Sequence, residues 1–196
     1  MRNSVCLGLA LACLLVTGCS ENGGQPPSAK TAGGVQPVTD AAEPAVAAPA
    51  VPAFAPSSEE QNALAARVNA GRCSVDNIQV FPDGQVLSQD TPGTYKVGRD
   101  GSYRVVGFVV DIDKGTVPSE FRLVLAGNKT YEMKSTTGGP RGDVAESLKN
   151  PSFATSGFDQ EVSFAGMDPG TYALYILSGE GEGSAVCTTF QGLIVQ

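Results

Sequence analysis

From residue 73 onward, apolar side chains recur at every second position. In "YRVVGFVVDID" Val106, Phe108, Val110 and Ile112 share one face while Tyr103, Val105 and Val109 share the other, the pattern of a central strand covered on both sides. "EFRLVLAG" groups Phe121, Leu123 and Leu125, and "TYALYILSG" groups Tyr172, Leu174 and Ile176. A last apolar, β-branched run, "VCTTFQGLIVQ", closes the chain. Turn signals separate these runs at Pro82-Asp83-Gly84, Thr91-Pro92-Gly93, Arg99-Asp100-Gly101, Gly127-Asn128, Asp168-Pro169-Gly170 and residues 179–183, spaced about ten residues apart. The pattern predicts an all-β fold over residues 73–196, an antiparallel β-sandwich of about seven to eight strands whose edges are covered by loops or a terminal segment.

Two stretches break the period of two. In residues 58–72, Ser57 or Ser58 can cap a short helix, Glu59 and Glu60 suit its first turn, and Gly71 can end it. Its narrow apolar stripe, Leu64, Ala65 and Val68, predicts a packing helix laid on the domain. "RGDVAESLKNPSFATSGF" predicts a second short helix starting near Asp143, with Asp143 as its cap, followed by a loop into the next strand. Residues 19–57 are mostly Ala, Pro, Gly and Val without periodicity, and such a composition buries too little to offset chain entropy. A disordered linker is expected there.

Ahead of the linker, Met1, Arg2 and Asn3 precede the apolar run "SVCLGLALACLLVTG", which has the length of a signal-peptide core and is too short to cross a bilayer. Thr17 and Gly18 are small residues just before Cys19, as a peptidase subsite of little bulk requires. Val16-Thr17-Gly18-Cys19 resembles the lipobox of bacterial lipoproteins. The resemblance implies removal of residues 1–18, diacylglycerol on the Cys19 sulfur, palmitate-type acylation of the new amino terminus, and anchoring in a membrane. Each buried CH₂ of an acyl chain contributes about 0.8 kcal/mol, so two or three chains hold the protein there. In that family an Asp after the cysteine retains the protein in the inner membrane; Ser20 stands there, which implies the outer membrane, facing the periplasm or the cell surface. Without the resemblance, residues 1–18 read as an ordinary secretory signal.

"RGDVAESL", "SGFDQEVSF" and "PGTYALYIL" are together similar to small Ig-like β-sandwich modules of bacterial envelope proteins, some associated with glycan assembly. The similarity spans residues 74–195 and implies a fold more than an activity. Phe108 stands where such modules carry a Trp.

Of five cysteines, Cys6 and Cys13 fall in the signal and Cys19 at the lipobox, leaving Cys73 and Cys187 near the two ends of the sandwich. In an oxidising compartment such a pair predicts a disulfide. The absence of histidine excludes Ser-His, Cys-His and His-metal arrangements. Asp111 and Asp113, two apart on a strand, are a candidate carboxylate or calcium pair, although two carboxylates fall well short of the oxygens calcium needs, and "DIDKG" reads more simply as a strand running into a turn. Tyr131 in "NKTYEMKS" is the candidate exposed aromatic for stacking on a sugar, with cross-strand packing as the plainer reading. "SGEGEGS" reads as a mobile hairpin loop. The net charge is −7, nearer −8 once Arg2 leaves with the signal, and no basic stripe offers itself to nucleic acid. The sequence therefore points to a non-catalytic binding or accessory module without a cofactor, whose partner is an envelope protein or a glycan. A carboxylate-dependent envelope hydrolase and a periplasmic inhibitor or immunity lipoprotein are the alternatives.

Overall fold

The computed structural model describes residues 51–67, 71–179 and 184–196. The signal peptide, Cys19, most of the linker, Val68 and the acidic tip of "SGEGEGS" lie outside the described residues. Ten strands are described: β1 Ala55–Pro56, β2 Gly71–Phe81, β3 Gln89–Thr91, β4 Thr94–Val97, β5 Ser102–Asp111, β6 Glu120–Ala126, β7 Thr130–Thr136, β8 Gly157–Ser163, β9 Gly170–Ser178 and β10 Ala185–Val195. They form a seven-stranded sheet in the order β1-β7-β6-β9-β10-β4-β3 and a three-stranded sheet in the order β2-β5-β8. The all-β sandwich expected from the alternation is present. One ladder is parallel, β10 with β4, which makes the large sheet mixed.

Alternation assigns the faces. Leu123, Leu125, Leu174, Ile176 and Leu193 of the large sheet meet Val75, Ile78, Val105, Val109, Phe158 and Val162 of the small one in a single buried cluster. Strand β5 is central in its sheet and covered on both sides. Its residues Tyr103, Val105 and Val109 face the sandwich core, while Phe108 and Val110 pack under α2 (Gly142–Ser147) and a 3₁₀ turn (Pro151–Thr155) that supplies Phe153. Ile112 lies past the end of β5 and is exposed.

Residues 52–57, read as the end of the linker, belong to the folded body. Phe54 is 6% exposed and stacks on Phe164 with ring centroids 5.5 Å apart. Around it the backbone closes two sheet edges: Ser163 of β8 donates to the Pro52 carbonyl at 2.8 Å, β1 pairs with β7, and the Ser57 N–H reaches the Thr130 carbonyl at 2.9 Å. The physical reason is that one buried Phe contributes about 1.5–3 kcal/mol and edge strands offer backbone groups in need of partners.

The first helix, α1 (Gln61–Ala66), is shorter than its pattern and begins later. Its N-cap is Glu60 without a side-chain bond, Gly71 already belongs to β2, and of the described stripe residues Leu64, 1% exposed, reaches the sheet while Ala65 faces solvent. Ser57 is engaged elsewhere: its hydroxyl accepts from the Glu59 N–H and donates to Glu132 at 2.6 Å. Glu59 bridges Arg67 at 2.9 Å and Arg122 at 3.3 Å, and Arg122 pairs with Glu132 at 2.9 Å, so the segment is clamped to β6 and β7 by a charged chain rather than by a wide stripe.

Cys73 of β2 and Cys187 of β10 form the disulfide expected of them, joining one sheet to the other across 114 residues of chain. A closed loop of that size restricts the unfolded chain by roughly 4–5 kcal/mol. Replacing both cysteines by Ser is expected to lower the melting temperature by on the order of 10 °C or more, read by calorimetry against the oxidised protein.

Candidate binding surface

The sequence candidates do not converge on one site. Cys19 is outside the described residues. Tyr131, the candidate for stacking on a sugar, is 3% exposed and packs across strands, its plainer reading; its hydroxyl accepts from the Asp168 N–H at 3.1 Å and its ring meets the edge of Tyr172 at 5.8 Å. The placement follows from parity, since Tyr131, Met133 and Ser135 share the inward face of β7. Asp111 and Asp113 do not face one another as a strand pair, because β5 ends at Asp111. Asp111 is buried and closes the turn that follows, accepting from the Lys114 N–H at 3.0 Å and pairing with the Lys114 ammonium at 2.9 Å, while Asp113 is exposed in the turn. Lys114 holds the Asp111 carboxyl below the usual carboxylate range.

The "RGD" triplet is a clamp. The Arg141 guanidinium lies over the Phe108 ring at 4.9 Å, makes two bonds to Asp143 at 2.8 and 2.9 Å, and pairs with Asp76 of β2 at 2.8 Å. Asp143 is not the helix cap. Arg141 occupies the N-cap of α2 without a side-chain cap bond, and Asp143 in the first turn spends its carboxylate on that guanidinium, which brings its pKa to about 2. The clamp ties the inserted helix to the small sheet.

What remains is the outer face of the large sheet. On β6 and β9 part of the face turned away from the core is also apolar, and Val124, Ala126, Tyr175 and Leu177 are covered by Leu64 of α1. Beside it a groove of about 430 Å³ reaches from Gln61 of α1 along β9 and β10 to the β3–β4 turn, lined by Ala173 and Gly192, by Thr94 and Thr171, and by the aromatic Tyr175 and Phe190. Among the described residues, none that lines it is charged. Its volume falls in the range of small-ligand sites.

Phe190 is the unusual member. It is 87% exposed and sits at φ +57°, in the left-handed region that glycine and asparagine favour. The backbone reason is a bulge: Thr188 pairs with Tyr175 and Gln191 with Leu174, so Thr189 and Phe190 are extra residues on β10. Thr189 turns in and donates to the Leu174 carbonyl at 2.7 Å. Gln191 reaches across to donate to the Val75 carbonyl of β2. Gly93 of the β3–β4 turn, at φ +80°, accepts from the Gly192 N–H at 2.8 Å, and a Cβ on it would come within 3.0 Å of the Phe190 carbonyl oxygen. The Phe190 backbone is thus fixed from three directions while its ring faces water.

A second cleft, of about 470 Å³, lies on the same sheet beside the start of α1, lined by Glu59, Glu120, Arg122, Glu132 and Lys134. Arg122, Glu59 and Glu132 there are already paired with one another, so a ligand would have to displace good ion pairs.

No family model matches the chain, and comparison with curated proteins and with solved structures finds no match. The groove and Phe190 were not singled out in the sequence. The available signal was parity: counting by twos from Cys187 places Thr189, Gln191, Leu193 and Val195 inside, which leaves Phe190 outside with Val186, Thr188, Gly192 and Ile194.

Two outcomes are expected. Phe190→Asn should leave the melting temperature unchanged or raise it by a few degrees, because an exposed ring loses no burial and asparagine tolerates the left-handed backbone. Arg141→Gln should move the Asp143 carboxyl from about 2 toward the ordinary ~3.9, read by carboxyl NMR titration. Since the folded value is depressed, the stability lost in Arg141→Gln should be greatest above ~4 and should fade as pH drops from there toward 2.

Proposed function

We propose that this protein is a lipid-anchored, non-catalytic binding module of the bacterial envelope, moored through Cys19 at the outer membrane and engaging its partner through the groove beside Phe190. The observation that carries the binding part is Phe190: a large aromatic exposed by 87% at a backbone position that disfavours it. Aromatic side chains, Phe among them, are enriched in recognition surfaces. The anchoring part rests on Val16-Thr17-Gly18-Cys19 and on Ser20. The disulfide between Cys73 and Cys187 accords with an oxidising compartment. An inhibitor or immunity role falls within this reading, since either works by binding. The carboxylate hydrolase is less well supported, because Asp111 is committed to Lys114 and has no second carboxylate facing it from Asp113.

Two measurements on the full chain in its native cell test the halves separately. Mass spectrometry of the mature amino terminus should find acylated Cys19, and Cys19→Ala should move the protein out of the membrane fraction; an unmodified Cys19 removes the anchor. A benzophenone amino acid in place of Phe190 should capture a discrete envelope component, with no equivalent product from the same label at exposed Val86. Equal products from both positions would remove the binding surface.

A further inference from the structure

The geometry points to an uncharged oligosaccharide as the ligand of the Phe190 groove. This inference rests on the binding-module reading and names the class of molecule bound.

Charge selects first. The chain as a whole is 17% Asp, Glu, Lys and Arg, and the neighbouring cleft on the same sheet carries five such residues, whereas those described in the wall of the Phe190 groove include none. A nucleotide, an acidic peptide or a uronic acid polymer would enter with its charge unanswered and would lose hydration without compensation. A neutral partner loses nothing on that account.

Shape and polarity select next. A long apolar side chain or a lipid tail calls for a deep, dry pocket, and this groove is open to solvent, with the small residues Ala173 and Gly192 in its lining. A sugar ring presents two kinds of surface, an apolar C–H face and a belt of hydroxyls. The groove offers a counterpart to each. The Phe190 ring, free on its outer side, can take the C–H face. Thr94, Thr171 and Gln61 on the rim carry groups that both donate and accept, as neutral hydroxyls require. Rim groups of this kind satisfy a hydroxylated ligand and leave a purely apolar peptide with unmatched polar neighbours.

Rigidity is the third argument. The Gly93 carbonyl, the Thr189 hydroxyl and the Gln191 amide hold the bulge, so the ring is presented without a loop having to order on binding. The lining extends from Gln61 of α1 to Pro92 and Gly93 of the β3–β4 turn, a span that suits a chain of sugars better than a single one.

The test uses the full chain in a detergent without a sugar headgroup, titrated calorimetrically with chitotetraose, cellotetraose, maltotetraose and, as the charged comparison, tetragalacturonate. Saturable binding is expected for at least one of the three neutral tetrasaccharides, at least tenfold weaker in Phe190→Asn and several-fold weaker in Thr171→Val, with tetragalacturonate bound at least tenfold less well. The melting temperature of each variant, measured alongside, shows that it is folded. Failure of all three neutral sugars to saturate, equal affinity of Phe190→Asn, or equal affinity for tetragalacturonate would each overturn the inference. If the sugars fail while the label at position 190 still captures an envelope protein, the ligand class is wrong and the binding surface stands. If both fail, the binding-module reading fails with it.

Discussion

The attachment of β10 to β2 is the constraint from which the rest of the sandwich follows. The two strands lie in different sheets, so no backbone ladder joins them, and the chain fastens them with side chains instead. Cys187 is bonded to Cys73, and four residues later Gln191 donates to the Val75 carbonyl. The second contact answers a specific need. Strand β2 is an edge of the three-stranded sheet, and an unpartnered carbonyl on such an edge invites a foreign strand. Farther along β2 the same edge is closed by the chain doubling back, with Leu87 donating to Ile78 and Val80 to Gln85. Between the doubled-back segment and the disulfide, the Gln191 amide is the plug.

To make both contacts while still pairing with β9, β10 takes up two extra residues between Thr188 and Gln191. Thr189 resolves its share of the disturbance by turning in toward Leu174. Phe190 takes up the remainder and is turned out at a left-handed φ. The groove is the outward side of the same event: the bulge brings Phe190 to it, the β3–β4 turn lines it beside the bulge, and Ala173 at the margin of the cluster under Leu64 is only partly buried. Stability and the candidate surface thus share a cause but not the same atoms, which is why the ring can be changed without loosening the strand.

Much of this was legible in the sequence, for a reason particular residues make plain. Strand alternation reports which face a side chain takes, so the core positions of β5, β6 and β9 and the two-sided cover of β5 could be read directly. Alternation does not report strand direction, and the parallel pairing of β4 with β10 left no mark in it. Composition misled at residues 52–57, where one Phe among Ala and Pro outweighs its neighbours once two sheet edges await partners. At Tyr131 and Asp111 the plainer readings hold: Tyr131 shares the inward parity of Met133 and packs across strands, and Asp111 stands where the strand runs into a turn that Lys114, three residues on, closes. Only the register with β9 reveals the bulge, and register is a property of two strands together.

The residue at position 190 remains to be explained by its own physics. A bulge with a left-handed residue is most easily built with glycine, and asparagine serves nearly as well. Lys149, the other non-glycine at positive φ among the described residues, shows what a local justification looks like: it follows the C-cap of α2, where a left-handed residue ends a helix, it donates to the Glu146 carbonyl, and its charged side chain is at home in water. Phe190 has no such return. Its ring lies outside all three buried clusters, and its backbone would be served better by a smaller residue. A costly conformation combined with a costly exposure, beside a groove whose described lining carries no charge, is what the proposed recognition role accounts for, because on that proposal the ring recovers on binding the burial it forgoes on folding.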